Sequence, residues 1–207
     1  MDIRSSYDSA ATAYAEHLFH ELDQKPLDRH LLNRFAEIVV GRGIVADLGC
    51  GPGHVAKYLN DHGVSVSGID LSSEMIRCAT RLCPDIQFRV GDIRALDVPD
   101  GHFEGIVAFY SIVHFAPTEL EGIFNEWRRI LVRGGPLLIA FHVGDHSTHL
   151  DELFGRPVSL DFQFHQPSAV TNSLQAAGFT VSEIAEREPY PSIEYASHRC
   201  YLLAWAS

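Results

Sequence analysis

Apolar positions open the chain with helical spacing. Tyr7, Ala11, Tyr14 and Leu18 follow one another at intervals of four, three and four, which predicts a one-faced helix within residues 1–20. Leu31, Leu32, Phe35, Ile38 and Val39 repeat the pattern behind Pro26, a residue suited to a first helical turn, so a second helix is predicted over 26–39. The period then changes. "GIVADLG" is a short apolar run broken by glycine and reads as a buried strand. Further short runs follow in "VSVSGID", "IQFRVGD", "FEGIVAFYS" and "PLLIAFH". Between them lie amphipathic stretches: "VAKYLNDHG" closed by Gly63, and "SSEMIRCATRLCP" with Met75, Ile76, Ala79 and Leu82 on one side. The clearest stripe is Leu120, Ile123, Phe124, Trp127, Ile130 and Leu131, ended by Gly134 and Gly135; Thr118 and Glu121 ahead of it have capping-box spacing. "PSAVTNSLQAAG" predicts a last helix, and "FTVSEIAE" and "CYLLAWA" two last strands. Such alternation predicts an α/β fold: a doubly wound, mostly parallel sheet of seven strands with helices on both faces. The last two strands are expected to pair as a hairpin that gives the sheet an antiparallel edge strand.

Bulk properties narrow the picture. A chain of 207 residues with 46% hydrophobic residues suits one core. No apolar stretch approaches the length of a membrane span and no charged-then-apolar leader opens the chain, so a cytoplasmic protein is expected. Lys and Arg total 16 against 27 Asp and Glu, a net charge of −11 that opposes nucleic acid and anionic lipid as partners. Arg128, Arg129 and Arg133 form the densest basic group, but they fall at a predicted helix end, where the macrodipole favours cations. Cys50, Cys78, Cys83 and Cys200 show no C-x-x-C spacing and are expected reduced and buried.

In a parallel sheet, ligands bind beyond the carboxyl ends of the strands. Those ends carry Asp47 with Gly49, Gly51 and Gly53, then Asp70, Asp92, Tyr110–Ser111 and His142. The glycines permit turns with φ > 0 and close backbone approach, and they lead into a helix start near His54. Asp70, 17 residues past Gly53, is placed to accept hydrogen bonds from ribose hydroxyls. A dinucleotide loop needs glycine where His54 stands, and a P-loop needs a Lys and Ser/Thr that "GHVAKY" does not supply in register. Asp47 would repel a pyrophosphate and suits an ammonium. The ligand is therefore expected to be a nucleoside joined to an amino acid. Plainer roles stand beside these: Asp92 as the cap of the turn "IRAL", Asp70 as a helix cap, and Tyr7 and Tyr14 as packing residues. "HVGDHSTH" sets His142, His146 and His149 near Asp145, but without sustained ligand spacing or a Cys partner, and no metal is expected.

Taken in order, "VADLGCGPG", "GIDLSSEMI", "GDIRALDVPDGHFEGIVAFYSIVHF" and "EWRRILVRGGPLLIAF" resemble the class I S-adenosylmethionine-dependent methyltransferases, in their small-molecule branch. The resemblance implies a Rossmann-like single domain over 1–207. It comprises a helical lid at 1–40, a cofactor core at 44–142, an acceptor-pocket insertion at 143–167 and a closing helix and hairpin at 168–207. It further implies S-adenosylmethionine as cofactor, S-adenosylhomocysteine as product, a small-molecule acceptor, and a monomer or homodimer.

Carried over residue by residue, Asp47, Gly49, Cys50, Gly51 and Gly53 would hold the methionine portion and Asp70 the ribose. Leu71, Met75, Gly91, Asp92 and Ile93 would hold the adenine. Phe109, Tyr110 and Ser111 would flank the sulfonium, with Tyr7 and Tyr14 as the lid. His114, after the fourth strand, is the first candidate base and His142 the second. Phe154, Phe162, Phe164 and His165 are expected to form an apolar acceptor slot. The rival readings are a cofactor-binding module that does not methylate and, disfavoured by Asp47 and His54, a nicotinamide oxidoreductase.

Overall fold

In the computed structural model, which describes residues 2–207, the strand and helix alternation closes into one seven-stranded sheet. In chain order the elements are α1 (Ile3–Leu18), α2 (Pro26–Val39), β1 (Ile44–Leu48), α3 (His54–Asp61), β2 (Ser65–Asp70), α4 (Ser73–Leu82), β3 (Gln87–Val90), β4 (Gly105–Phe109), α5 (Leu120–Ile130), β5 (Pro136–His142), β6 (Ser147–Leu153), β7 (Arg156–Gln163), α6 (Pro167–Ala176), β8 (Phe179–Arg187) and β9 (Arg199–Ala206). The sheet runs β3-β2-β1-β4-β5-β9-β8, parallel from β3 through β5. Strand order reverses between β1 and β4, the switch point at which an open α/β sheet leaves a crevice.

The side-chain period of two sorts each central strand between two cores. Ala46, Leu48, Ile106, Ala108, Leu137 and Ile139 pack with Trp127, Phe124 and Leu174 of α5 and α6. Their neighbours Val45, Val107 and Leu138 pack with Leu32, Phe35 and Leu59 of α2 and α3. Both faces of the sheet are thus covered, as the continuous apolar runs foretold.

The C-terminal hairpin forms the edge as expected, with one refinement. β9 is the antiparallel strand and lies second from the edge, paired with β5 from Pro136↔Trp205 to His142↔Arg199. β8, antiparallel to β9, is outermost. The expected Thr118–Glu121 box does not form. The Ala116 N–H instead donates to Glu119 Oε2 at 2.7 Å, because a short 3-10 turn over Pro117–Glu119 precedes α5.

Residues 143–167 hold more order than the sequence pattern suggested: β6 and β7 make a separate two-stranded sheet. Its turn, Phe154–Gly155, has φ of 51° and 73°, the doubly positive backbone that matches hairpin twist. The hairpin rests on α1, where Val158 and Leu160 cluster with Ala10, and the Ser159 N–H donates to Ser6 Oγ at 3.1 Å. No described helix is long and apolar enough to cross a membrane.

Candidate active site

The loop after β1 is tied to the neighbouring strand end. Gly49 N–H and Cys50 N–H both donate to the Ile69 carbonyl, at 2.8 and 3.1 Å. Gly49 has φ +75°, and a Cβ there would lie 2.5 Å from Ser111 Cβ, so only glycine lets the loops after β1 and β4 meet. Gly51 donates its N–H to Asp70 Oδ2 at 2.9 Å, and the Ser72 N–H donates to Asp70 Oδ1 at 2.8 Å. Both carboxylate oxygens are therefore oriented by backbone while Asp70 still faces a cleft. Burial raises its pKa.

This cleft, of about 320 Å³, lies beyond the carboxyl ends of the strands and beneath α1. Gly49, Gly51, Asp70, Leu71, Met75, Gly91, Asp92, Ile93, Phe109, Tyr110, Ser111, Tyr7, Tyr14 and His114 line it, so most of the residues chosen from sequence come together. Three do not. Asp47 turns inward and accepts from the Ala56 N–H at 3.0 Å in the first turn of α3, and burial pushes its carboxyl up to about 7. The Cys50 thiol points the other way, its Sγ 2.9 Å from where a Cβ on Gly68 would sit. Gly53 lies under the Phe88 ring.

Asp92 lines the cleft with its carboxylate already engaged. It accepts from the Arg94 N–H at 3.0 Å and from the Arg94 guanidinium at 2.6 to 3.1 Å, the turn-capping role weighed from sequence. That hydrogen bond lowers its pKa. Ile93 gives its carbonyl to Trp127 Nε1–H at 3.0 Å, fixing this wall to the core.

Helix α1 is pinned by a residue that the sequence pattern did not single out. Asp8 Oδ1 accepts from Ser72 Oγ–H at 2.6 Å and from the Glu74 N–H at 3.1 Å, fastening α1 to the start of α4. Tyr7 and Tyr14 then meet edge to face, ring centroids 6.1 Å apart, with Tyr14 over Gly51. Tyr7 Oη lies 2.7 Å from His114 Nε2, and His114 Nδ1 lies 3.1 Å from the Asp161 carbonyl. A carbonyl only accepts, so Nδ1 carries the hydrogen and Nε2 receives the Tyr7 O–H. Burial lowers the His114 pKa and raises that of Tyr7.

His142 does not reach the cleft. At the end of β5 its ring packs 4.9 Å from that of Tyr110, and Nδ1 is 2.7 Å from Ser197 Oγ. Burial and the nearby Arg199 and Lys25 push it down to about 3, which leaves it neutral. The expected apolar slot is likewise absent from the described cleft walls, which contain none of 143–167. Phe154 stacks on His17 at 4.5 Å, Phe162 backs His114 at 5.0 Å and Phe164 stacks on His146 at 4.2 Å. His165 Nε2 reaches the Ile112 carbonyl at 3.2 Å. Phe154 thus ties the hairpin to α1, Phe162 and His165 tie it to the turn at 112–114, and Phe164 packs within 143–167.

Glu21 and His54 complete the wall, with His54 Nε2 at 3.0 Å from Glu21 Oε1 and Lys25 Nζ at 2.6 Å from Glu21 Oε2. Sequence had signalled His54 only as a missing glycine. Glu21, Asp70, Asp92 and Glu119 outnumber the single arginine, Arg94, around the cleft, a balance that suits a cationic ligand. Tyr110 holds φ +55°, a costly backbone for a non-glycine residue, and the adjacent Ser111 Oγ is buried with no described hydrogen-bond partner.

A family model described as a methyltransferase domain matches residues 45–135. Over that stretch, from β1 past α5, the chain is similar to a methyltransferase domain. A malonyl-[acyl-carrier protein] O-methyltransferase of Enterobacter lignolyticus is 29% identical over 152 residues, covering 72% of this chain and 56% of that protein. A phosphatidylethanolamine N-methyltransferase of Cereibacter sphaeroides is 36% identical over 106 residues, 48% of this chain and 51% of that protein. The chain thus spans about half the length of the curated relatives it matches. Among solved structures, magnesium protoporphyrin IX methyltransferase from Synechocystis, holding S-adenosylmethionine, superposes with a TM-score of 0.74 over 99% of this chain and 95% of its own, at 15% identity. The methyltransferase fold and the cleft at its switch point agree.

Proposed function

We propose that this methyltransferase domain moves the methyl group of S-adenosylmethionine to a small-molecule acceptor, with Tyr7 and His114 taking the acceptor's proton. One observation carries the reading: a tyrosine–histidine pair, its tautomer fixed by the Asp161 carbonyl, stands in the wall of a cleft lined by carboxylates. The residues present suit the cofactor. Asp70 would hold the ribose hydroxyls, Leu71 and Met75 the adenine faces, and the bare backbone of Gly49 and Gly51 the amino-acid end. When bound, S-adenosylmethionine supplies a methyl group activated by a positively charged sulfur.

The chain's own work is alignment, exclusion of water and proton handling. α1 covers the cleft, and Asp8 keeps it closed onto α4. His114 Nε2 offers a lone pair to the Tyr7 O–H. The phenol oxygen can therefore accept a proton from an acceptor hydroxyl or ammonium as its own hydrogen passes to Nε2. Burial, which keeps His114 neutral near pH 7, preserves that lone pair. Phe162 behind the ring and Asp161 beside it hold the imidazole in place.

The test is turnover with methyl-labelled S-adenosylmethionine against amines, phenols, carboxylates and enolisable ketones. Wild type is expected to label at least one class. Tyr7→Phe and His114→Gln should each slow labelling by about 10²-fold or more, a usual loss for a proton-transfer group, with S-adenosylhomocysteine affinity retained. Binding without label in any class would favour the non-methylating module. Undiminished rates in both variants would remove the pair from the reaction.

A further inference from the structure

Behind Tyr110 lies a cluster that the reaction above does not use. Lys25 precedes α2, Arg187 ends β8 and Arg199 begins β9; their side chains are 4, 8 and 2% exposed. All three converge on one carboxylate, that of Glu194. Lys25 Nζ lies 3.2 Å from Oε2 and Arg199 Nε 3.1 Å from it, while Arg187 grips Oε1 through Nη1 and reaches Oε2 at 3.2 Å through Nη2. The Tyr190 N–H donates to Oε1 at 2.8 Å.

The origins of these groups differ. Arg187 and Arg199 are held by β8 and β9 and Lys25 directly abuts α2, and Lys25 and Arg187 keep their own acids, Glu21 at 2.6 Å and Asp28 at 2.9 Å. Glu194 instead arrives on the irregular segment 188–198, where Ser192 holds φ +64°. Arg199 has no other carboxylate partner among the described residues. Its remaining nitrogens donate to Ser197 O and Tyr195 O of the same segment, at 2.6 and 2.9 Å. Nε stays unpartnered although buried, because its hydrogen does not point at the nearby oxygen. The tethered carboxylate therefore neutralises the third cation without satisfying it.

This site adjoins the cleft. Lys25 Nζ and the Arg199 guanidinium lie 5.7 and 5.8 Å from the Tyr110 ring centroid, and Tyr110 lines the cofactor cleft. Burying cations this deeply costs several kcal/mol each unless they are paired, so the pocket demands an anion.

We propose that the Lys25–Arg187–Arg199 pocket is an acceptor subsite for a carboxylate, and that Glu194 is a tethered stand-in which leaves with segment 188–198 when the acceptor enters. The assignment rests on the methyltransferase reading for its purpose, but not for its anion chemistry. Exchange of one carboxylate for another keeps the buried charge balanced. It also delivers the acceptor against the same Tyr110 ring that borders the cofactor side. Removing an internal competitor raises apparent affinity in proportion to the fraction of sites freed.

Calorimetric titration of the full chain with benzoate, benzamide and inorganic phosphate tests this. Glu194→Ala is expected to bind benzoate at least about tenfold more tightly than wild type, with benzamide inert, and Glu194→Ala combined with Arg199→Met should lose the gain. Saturating benzoate should also speed proteolysis of wild type within 188–198, a measurement that stands even where Glu194→Ala folds poorly. Glu194→Gln, close in shape, should show the same trend. Equal affinity for benzoate and benzamide in both variants, with cleavage unchanged, would overturn the proposal, as would preference for phosphate. Benzoate binding without methyl product in any turnover assay would defeat the methyltransferase reading alone. Methyl transfer confined to neutral acceptors would defeat the subsite alone.

Discussion

Asp47 offers a prediction whose size follows from the geometry. Its side chain is buried at the end of β1, with the Ala56 N–H donating to Oδ2 at 3.0 Å. Burial raises the carboxyl from an ordinary 3.8 to about 7 against the lowering effects of His54 and of that hydrogen bond. The folded chain thus holds this proton more tightly than the unfolded chain. Stability must fall as pH rises between about 4 and about 7, and level off above. At about 1.36 kcal/mol for each tenfold step in proton affinity, ionised Asp47 costs the fold on the order of 4 kcal/mol above pH 7. Asp47→Asn keeps a carbonyl acceptor for Ala56 and cannot ionise. It should stabilise the cofactor-free chain by about 2–4 kcal/mol at pH 8 and by less than about 1 kcal/mol at pH 4. For a chain of this size, about 2–4 °C of Tm accompanies each kcal/mol, so thermal melts at pH 8 should rise by roughly 4–16 °C. An unchanged or lower Tm at pH 8, or an equal gain at pH 4, would refute the reasoning.

Three further outcomes follow from the site. Gly49→Ala puts a Cβ 2.5 Å from Ser111 Cβ at φ +75°; a loss of about 2 kcal/mol or more in denaturant melts is expected, with weakened S-adenosylhomocysteine binding. Trp127→Phe strands the buried Ile93 carbonyl and should cost about 1–3 kcal/mol in the same assay. Because burial lowers the His114 pKa from its ordinary 6.5, kcat should fall on the acid side with a midpoint below 6.5; a midpoint above 6.5 would exclude His114 as the titrating base.

Much of the site was legible because parallel strands end on one rim. Asp70, Gly91–Ile93 and Tyr110–Ser111 close separate strands, and topology alone brings them to one crevice. The glycines at 49 and 51 announced a loop pressed against other backbone, which Ser111 confirms. What stayed hidden depended on direction or on distant partners. Asp47 is a strand-end acid like Asp70, but it faces α3, and nothing local encodes that it meets the Ala56 N–H. The β6–β7 hairpin escaped notice because its turn is Phe-Gly rather than Asn-Gly, and "STHLDEL" offers few apolar residues to mark alternation. Tertiary contact with α1 supplies the burial that the pattern lacked. His142 ends its strand as the other site residues do, but β9 and segment 188–198 cover it. The Glu194 cluster joins positions 25, 187, 194 and 199, separations at which no spacing rule operates.

The measurement closest to the centre of the account is calorimetric titration of S-adenosylhomocysteine into the wild-type chain and into Asp70→Ala. One site per chain is expected in wild type, with affinity reduced by about 1–3 kcal/mol in a variant that remains folded. No binding to wild type, or equal binding to both proteins, would contradict the assignment of the cleft.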